Sequence, residues 1–327
     1  MKHISILVPV GDASLSCIEG PYTLFNKSND FLAGSGMPRL FNVQLIGLNR
    51  EAQVYDNFFT VYPDQVVEET HRTDLIIIPA VNGDVNNVIA SNQGFFSWIL
   101  KQYKEGAEVA SLCVGAFLLG ATGLLKRKKC ATHWLAANDF RKMFPDTNLV
   151  SDKIITDEYG IYSSGGGNSF WNLLLYLLEK YTNRQMAIQC AKYFEIEIDR
   201  TNQSPFMMFI GPRDHNDEPI KQAQGFIENN FQSKITVDQL SLIFGIGRRT
   251  LERRFKKATY NTVSEYIHKV KIEAAKKSIE AGRKGIDEVM RDVGYTDTKA
   301  FRTIFKKTTG LSPIEYRNKF NKETGIQ

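Results

Sequence analysis

The sequence predicts an α/β sandwich followed by an all-α domain with two helix-turn-helix units. Three observations carry this reading. Short apolar runs alternate with longer amphipathic ones as far as about residue 195. From Glu218 onward the pattern is helical throughout, and this second part repeats itself about fifty residues later. The charge divides the same way. From Asn216 onward there are 22 Lys and Arg against 14 Asp and Glu, a balance of +8, while the rest of the chain carries −3. A cation-rich module of this kind points to a polyanionic partner, nucleic acid first.

In chain order, residues 3–9 (HISILVP) read as a strand and 12–27 as a helix. Residues 41–48 (FNVQLIGL) and 74–81 (DLIIIPAV) read as strands, followed by a helix over roughly 87–104. A strand over 109–112 then leads into a helix that opens near Val114. Runs such as Leu75-Ile76-Ile77-Ile78 are apolar on both faces, as a mostly parallel sheet covered by helices requires. Residues 154–163 read as a hairpin turning at Tyr159-Gly160, and helices over 168–182 and 184–195 follow.

With 43% hydrophobic and 24% charged residues, the composition is globular and excludes disordered and collagen-like classes. Cys17, Cys113, Cys130 and Cys190 have no metal, redox or disulfide spacing, and the five histidines are scattered. Neither a metal nor a cofactor is therefore expected. Met1-Lys2-His3 runs straight into a strand rather than a signal peptide. The nearly uncharged stretch from Val109 to Leu125 is 17 residues long, short of a comfortable membrane span. A cytoplasmic protein without membrane contact is the expectation.

The segment Ser111-Leu112-Cys113-Val114-Gly115-Ala116 sets a nucleophile between a strand end and a helix start, with small residues after it. That is the sequence form of a nucleophile elbow. A helix N-terminus there would lower the cysteine pKa. A lone cysteine in such a place is, more often, a small buried hydrophobe. Gly165-Gly166-Gly167 could cradle a phosphate, but it lacks the Lys-Ser/Thr of a P-loop and the dinucleotide spacing. A helix-entry turn near the pocket is the better reading. Lys126-Arg127-Lys128-Lys129 reads as a solvated loop.

The segments CIEGPYTLF, DLIIIPA, SLCVGAFLLGATGLL, CATHW and YSSGGGNSFWNLLLYLLEK occur in this order across residues 3–195. Together they resemble the PfpI-type branch of the class I glutamine amidotransferase-like superfamily. The resemblance implies a flavodoxin-like α/β sandwich, with Cys113 at the elbow and His133 and Trp134 lining the adjacent pocket. It also exposes departures. Enzymes of the branch place an acid in the helix after the first strand; the matching position here is Cys17. Glu19 lies two residues on and faces another direction. Paired glycines after the middle strand are replaced by Pro79-Ala80-Val81-Asn82-Gly83, whose side chains restrict the backbone of an oxyanion hole. Val114 stands where enzymes place a histidine after the cysteine. The expected pocket of Glu19, Ala80, Cys113, Val114 and His133 therefore binds a small effector, with no catalytic residue and no turnover.

Residues 199–218 break the periodicity, and the reading places a front domain over 1–211, a linker over 212–218 and a back domain over 219–327. Met207-Met208-Phe209-Ile210 is expected to pack back on the front domain. In the repeat, Phe255-Lys256-Lys257-Ala258-Thr259 and Glu265-Tyr266 recur as Phe305-Lys306-Lys307-Thr308-Thr309 and Glu315-Tyr316. Thr236 with Gln239, Thr262 with Glu265, and Ser312 with Glu315 read as capping boxes. Gly247 and Thr296 sit where each second helix starts. With Leu251 and Phe255 facing inward, Arg248, Arg249, Thr250, Arg253 and Lys256 are left outside. On the later copy the outward set is Thr298, Lys299, Arg302, Thr303 and Lys306. Arg can chelate guanine edges, while Lys and Thr serve phosphates or single acceptors.

The strings IFGIGRRTLERRFKKAT and DVGYTDTKAFRTIFKKTTGLSPIEYR resemble the AraC family of transcription regulators over about residues 219–320. With the front domain, the whole chain is similar to GlxA-type AraC regulators, which implies a sensor domain that also dimerises. The expected protein is a homodimeric, sequence-specific DNA-binding regulator. The competing expectation is a cysteine-dependent hydrolase or hydratase, similar to isonitrile hydratase, fused to a DNA-binding domain.

Overall fold

The continuous apolar runs become the inner strands of a seven-stranded sheet. The computed structural model describes residues 1–55, 58–198 and 200–321. The chain divides into two compact units, Met1–Gln203 and Ser204–Gln327.

The front unit runs β1 (Lys2–Leu7), α1 (Ser16–Gly34), β2 (Phe41–Gly47), β3 (Gln53–Tyr55), β4 (Phe59–Val61), β5 (Gln65–Val66) and β6 (Leu75–Ile78). It continues with α2 (Val85–Ser91), α3 (Gly94–Lys104), β7 (Glu108–Ser111), a 3-10 turn over Cys113–Gly115 and α4 (Ala116–Ala121). The last elements are β8 (Lys129–Cys130), α5 (Ala137–Met143), β9 (Asn148–Leu149), β10 (Ile155–Glu158), β11 (Ile161–Ser164), α6 (Ser169–Tyr181) and α7 (Arg184–Tyr193). The sheet order is β10-β11-β7-β6-β1-β2-β5, parallel except for the β10–β11 hairpin.

Leu75, Ile76, Ile77 and Ile78 are all fully buried, so helices cover both faces of β6. The chain builds outward from β1 through β2 on one side and through β6 and β7 on the other. A crevice beyond the carboxyl ends of the strands at such a switch point is where open α/β sheets bind ligands. The hairpin turns at Tyr159 and Gly160, both left-handed at φ 58° and 76°, as a two-residue hairpin turn demands.

Several boundaries differ from the sequence reading. The expected single helix over 87–104 is two helices, because Asn92 interrupts it. Its side chain accepts from the Val10 N–H and donates to the Val10 and Val88 carbonyls, pinning the break to the end of the first strand. The first helix starts later and ends later than 12–27. The strand expected over 74–81 stops at Ile78. The short strands β3, β4, β5, β8 and β9 and the helix α5 had no sequence signal.

The back unit holds α8 (Glu218–Asn229), α9 (Val237–Phe244), α10 (Arg248–Thr259), α11 (Val263–Glu280), α12 (Ile286–Asp292), α13 (Thr298–Thr309) and α14 (Pro313–Phe320). It has two cores. Leu240, Leu251, Phe255, Val263 and Tyr266 belong to the first, and Ile272, Val289, Phe301, Phe305 and Tyr316 to the second. Helix α11 contributes to both and is the beam between them. Thr262 with Glu265 and Ser312 with Glu315 form full capping boxes. Thr236 caps α9 by accepting from the Gln239 N–H. The cap of α13 is Asp297, not Thr296: its carboxylate accepts from the Lys299 and Ala300 N–H groups.

The segment from Met207 to Phe209 belongs to the back unit rather than the front one. The Met207 carbonyl accepts from Lys276 Nζ, the Phe209 N–H donates to Glu273, and the Phe209 ring meets Tyr266 edge-on at 5.1 Å. Irregular chain continues to Asp217, which caps α8. Among the described residues no helix is long and apolar enough to cross a membrane.

Candidate functional site

A cavity of about 380 Å³ opens beyond the carboxyl ends of β1, β6 and β7. Ser14, Ser16 and Cys17 line it from the β1 side, Ala80 and Asn82 from β6, and Cys113 and Val114 from β7; His133, Gly167, Asn168 and Phe170 complete the wall with Leu135 and Ala136. None of these is an Asp, Glu, Lys or Arg, so the wall offers hydrogen bonds without fixed charge.

Cys113 opens the 3-10 turn that follows β7 and has a left-handed φ of 53°. Its N–H donates to Ser164 Oγ at 3.0 Å and its carbonyl accepts from Thr132 Oγ1 at 3.0 Å. Gly115 makes the turn possible: a Cβ there would stand 2.5 Å from the Pro79 carbonyl oxygen. These contacts hold a backbone that a side-chain-bearing residue adopts at a cost.

Burial works against ionisation of both cavity thiols. Burial pushes Cys113 up to about 11, with the neighbouring Cys17 adding to the rise; the Val114 and Gly167 N–H groups only partly oppose it. Burial also raises Cys17, against the Ala80 N–H and the Ser14 and Ser16 hydroxyls. Cys113 thus follows the reading of a small buried hydrophobe rather than that of a helix-lowered thiolate. The helix after the elbow starts with a short 3-10 turn inside an apolar core, and desolvation outweighs its N–H groups.

His133 is half-buried, and burial lowers its pKa. Its Nδ1 accepts from the Leu135 N–H at 3.1 Å, so in the neutral ring the proton is on Nε2. Gly166 leaves room for the ring, since a Cβ there would lie 2.1 Å from His133 Cδ2. Gly165 leaves room for Gln203 in the same way. The Gln203 amide donates to the carbonyls of Thr132, Ser151 and Lys153 and accepts from the Gly166 N–H. The triple glycine is thus a packing turn, and its last member reaches the cavity.

Of the five expected pocket residues, the cavity wall includes Ala80, Cys113, Val114 and His133. Glu19 is outside it: exposed on α1, it accepts from the Thr23 hydroxyl one turn on. Two residues of helix rotate it away from Cys17, which faces inward. Ser14, Ser16, Asn82, Asn168 and Phe170 were missed. Their signal was position alone, directly after the strand ends and the glycine turn.

The second candidate site lies on the back unit. Arg248, Arg249, Thr250, Arg253 and Lys256 are exposed on α10, as are Lys299, Arg302, Thr303 and Lys306 on α13; Thr298 is half-buried at the helix start. Arg249, Arg253 and Lys256 follow one face of α10. Arg248 is drawn aside, pairing with Asp238 at 3.0 Å and Glu252 at 3.7 Å. Lys257 and Lys307, which the sequence reading passed over, are exposed in equivalent positions.

Residues 29–180 match the profile of the DJ-1/PfpI family, and residues 240–319 that of a helix-turn-helix domain. The chain is similar to the HTH-type transcriptional regulator GbdR of Pseudomonas aeruginosa, at 23% identity over 308 residues. That match covers 93% of this chain and 80% of the relative. Among solved structures, DJ-1beta of Drosophila melanogaster is similar with a TM-score of 0.51 and 15% identity, over 60% of this chain and 98% of that one. An AraC family transcriptional regulator from Pseudomonas putida is similar with a TM-score of 0.50 and 14% identity, over 59% and 100%. At these identities the structural likeness speaks for the fold.

Proposed function

We propose, on the premise that this chain is an AraC-type transcription regulator with a DJ-1/PfpI front domain, that the front cavity binds a small effector and performs no chemistry on it. The observation behind DNA recognition is the duplicated pair α9–α10 and α12–α13, each showing an exposed cationic face. Full-length protein should bind duplex DNA with strong salt dependence, each phosphate neutralised adding about −0.9 to the slope of log K against log salt. Salt-insensitive binding would overturn this. Arg253→Ala and Arg302→Ala should each weaken specific binding; where the arginine reads a guanine, the loss is about 1–3 kcal/mol at that base pair. Equal weakening on every sequence would make it a phosphate contact.

The silent cavity rests on Cys17 standing at the acid position, on Ala80 in place of a glycine, and on a Cys113 thiol raised to about 11. A second reading, a cysteine-dependent hydrolase or hydratase, is favoured by one observation, the left-handed Cys113 of a nucleophile elbow. Product formation against amides, isonitriles and α-oxoaldehydes separates the two. The sensor reading expects none from the wild type; turnover that disappears in Cys113→Ser promotes the enzyme. The proposal extends to a cytoplasmic homodimer joined by the front domains, which sedimentation of the full chain tests.

A further inference from the structure

We propose that Lys271, together with Gly294, locks the two helix-turn-helix units in one phase and thereby sets the separation of the two DNA half-sites the protein accepts. It acts as a positioning residue, through contacts that reach both units and no contact with DNA.

Each unit has its own core, and α11 crosses from one to the other. A single connecting helix fixes the distance between two bodies. Fixing their rotation about that helix takes a second point of contact.

The second contact is made of backbone. The loop between α8 and α9 belongs to the first unit, and its Phe231 packs against the core of the second. One residue further, the Gln232 carbonyl lies so close to Gly294 that a Cβ there would stand 2.0 Å from its oxygen. Gly294 is also left-handed, at φ 72°. Only glycine allows the turn after α12 to meet that loop.

Lys271, on α11, fills the junction from below. It is 6% exposed, and its ammonium donates to the carbonyls of Ser233 at 3.4 Å, Val293 at 3.0 Å and Gly294 at 3.2 Å. The first acceptor belongs to one unit and the other two to its duplicate. Three N–H donors thus meet three carbonyls, the full complement an ammonium can use. A buried charge tolerates no missing partner, and all three acceptors converge in only one arrangement of the units. Tyr295 adds a further tie, its hydroxyl 2.8 Å from His268 Nδ1 on α11 and its ring 5.4 Å from Lys271 Nζ.

Phase matters because paired recognition helices read half-sites about one helical turn apart. Rotating one unit by about a tenth of a circle moves its preferred site by one base pair.

The test uses the full chain and duplexes carrying its selected two-part site, with the spacer varied one base pair at a time. Wild type should prefer one spacer by about tenfold over its neighbours, as a misplaced contact typically costs. Lys271→Met should flatten that preference to less than about threefold while changing single half-site affinity by under about twofold. Lys271→Arg, which keeps the charge and donors, should retain a single preferred spacer. Should Lys271→Met melt too low to assay, Gly294→Ala keeps the charge while its Cβ would crowd the Gln232 carbonyl and Lys271 Nζ and strain the left-handed turn; it should flatten the same profile. An unchanged spacer profile in a folded variant overturns the inference. So does a loss of equal factor at every spacer and on single half-sites, which marks a purely structural role. The inference rests on DNA recognition by both units, and failure of the wild type to bind any duplex would sink that reading instead.

Discussion

Residues 251–260 and 301–310 share only Phe, two Lys and Thr at matching positions, yet they follow the same succession of buried, half-buried and exposed sites residue for residue. The two recognition helices differ at their ends. Helix α10 begins at Gly247, which offers no side-chain cap, and ends at Tyr260 in the left-handed conformation at φ 57°. Helix α13 begins at Asp297, whose carboxylate accepts from two N–H groups, and ends at Gly310, left-handed at φ 76°. The duplication preserves what packs and lets the termini drift. The first unit therefore has the less well-terminated recognition helix.

The shared interior makes the largest prediction. Phe255 and Phe305 are fully buried at equivalent positions, so truncating either to Ala should cost about 3–5 kcal/mol. Denaturant unfolding of the two variants measures it, and costs differing by more than a factor of two would break the equivalence of the cores. The termini should then show the asymmetry. Tyr260→Gly relieves a left-handed side-chain-bearing residue and should stabilise by about 1 kcal/mol, while Gly310→Ala should destabilise by about as much. Asp297→Ala should cost about 1 kcal/mol, against a few tenths gained by Gly247→Asp. Calorimetry that found equal responses in both copies would remove the distinction drawn here.

The smallest effect concerns the two capping boxes. The N–H groups of Thr262 and Ser312 hold the Glu265 and Glu315 carboxyls below the ordinary carboxylate range. A folded pKa lower than the unfolded one contributes stability above the unfolded value, lost as pH falls through the folded value. Melting temperatures followed from neutral to acid pH should therefore drop slightly more for wild type than for Glu265→Gln or Glu315→Gln. A larger drop in either variant would contradict the sign.

Much of this architecture was legible because it is periodic. Leu75–Ile78 announces an inner strand by being apolar on both faces, and the fifty-residue repeat announces its own duplication. The Asn92 break was not legible, since nothing in the local pattern says that an amide will reach back to Val10. Strands of two or three residues such as β5 and β8 depend on neighbours distant in sequence. In the cavity, the elbow cysteine and His133 were readable from the motif, whereas Glu19 was misplaced by two residues of helix, about half a turn. The wall residues Ser14 and Asn82 carry no signature beyond standing after strand ends. The Met207–Phe209 segment was assigned by its proximity in sequence to the front domain; its contacts with Lys276 and Tyr266 lie some sixty residues away.

The raised thiol at the elbow has a consequence for durability. The thiolate is the species that peroxides and alkylating agents attack, and burial that pushes Cys113 up to about 11 leaves little of it at neutral pH. Cys130, up to about 12, and Cys190, up to about 11, are protected in the same way by burial. Burial thus holds the elbow cysteine in its thiol form, the form less open to oxidants and alkylating agents.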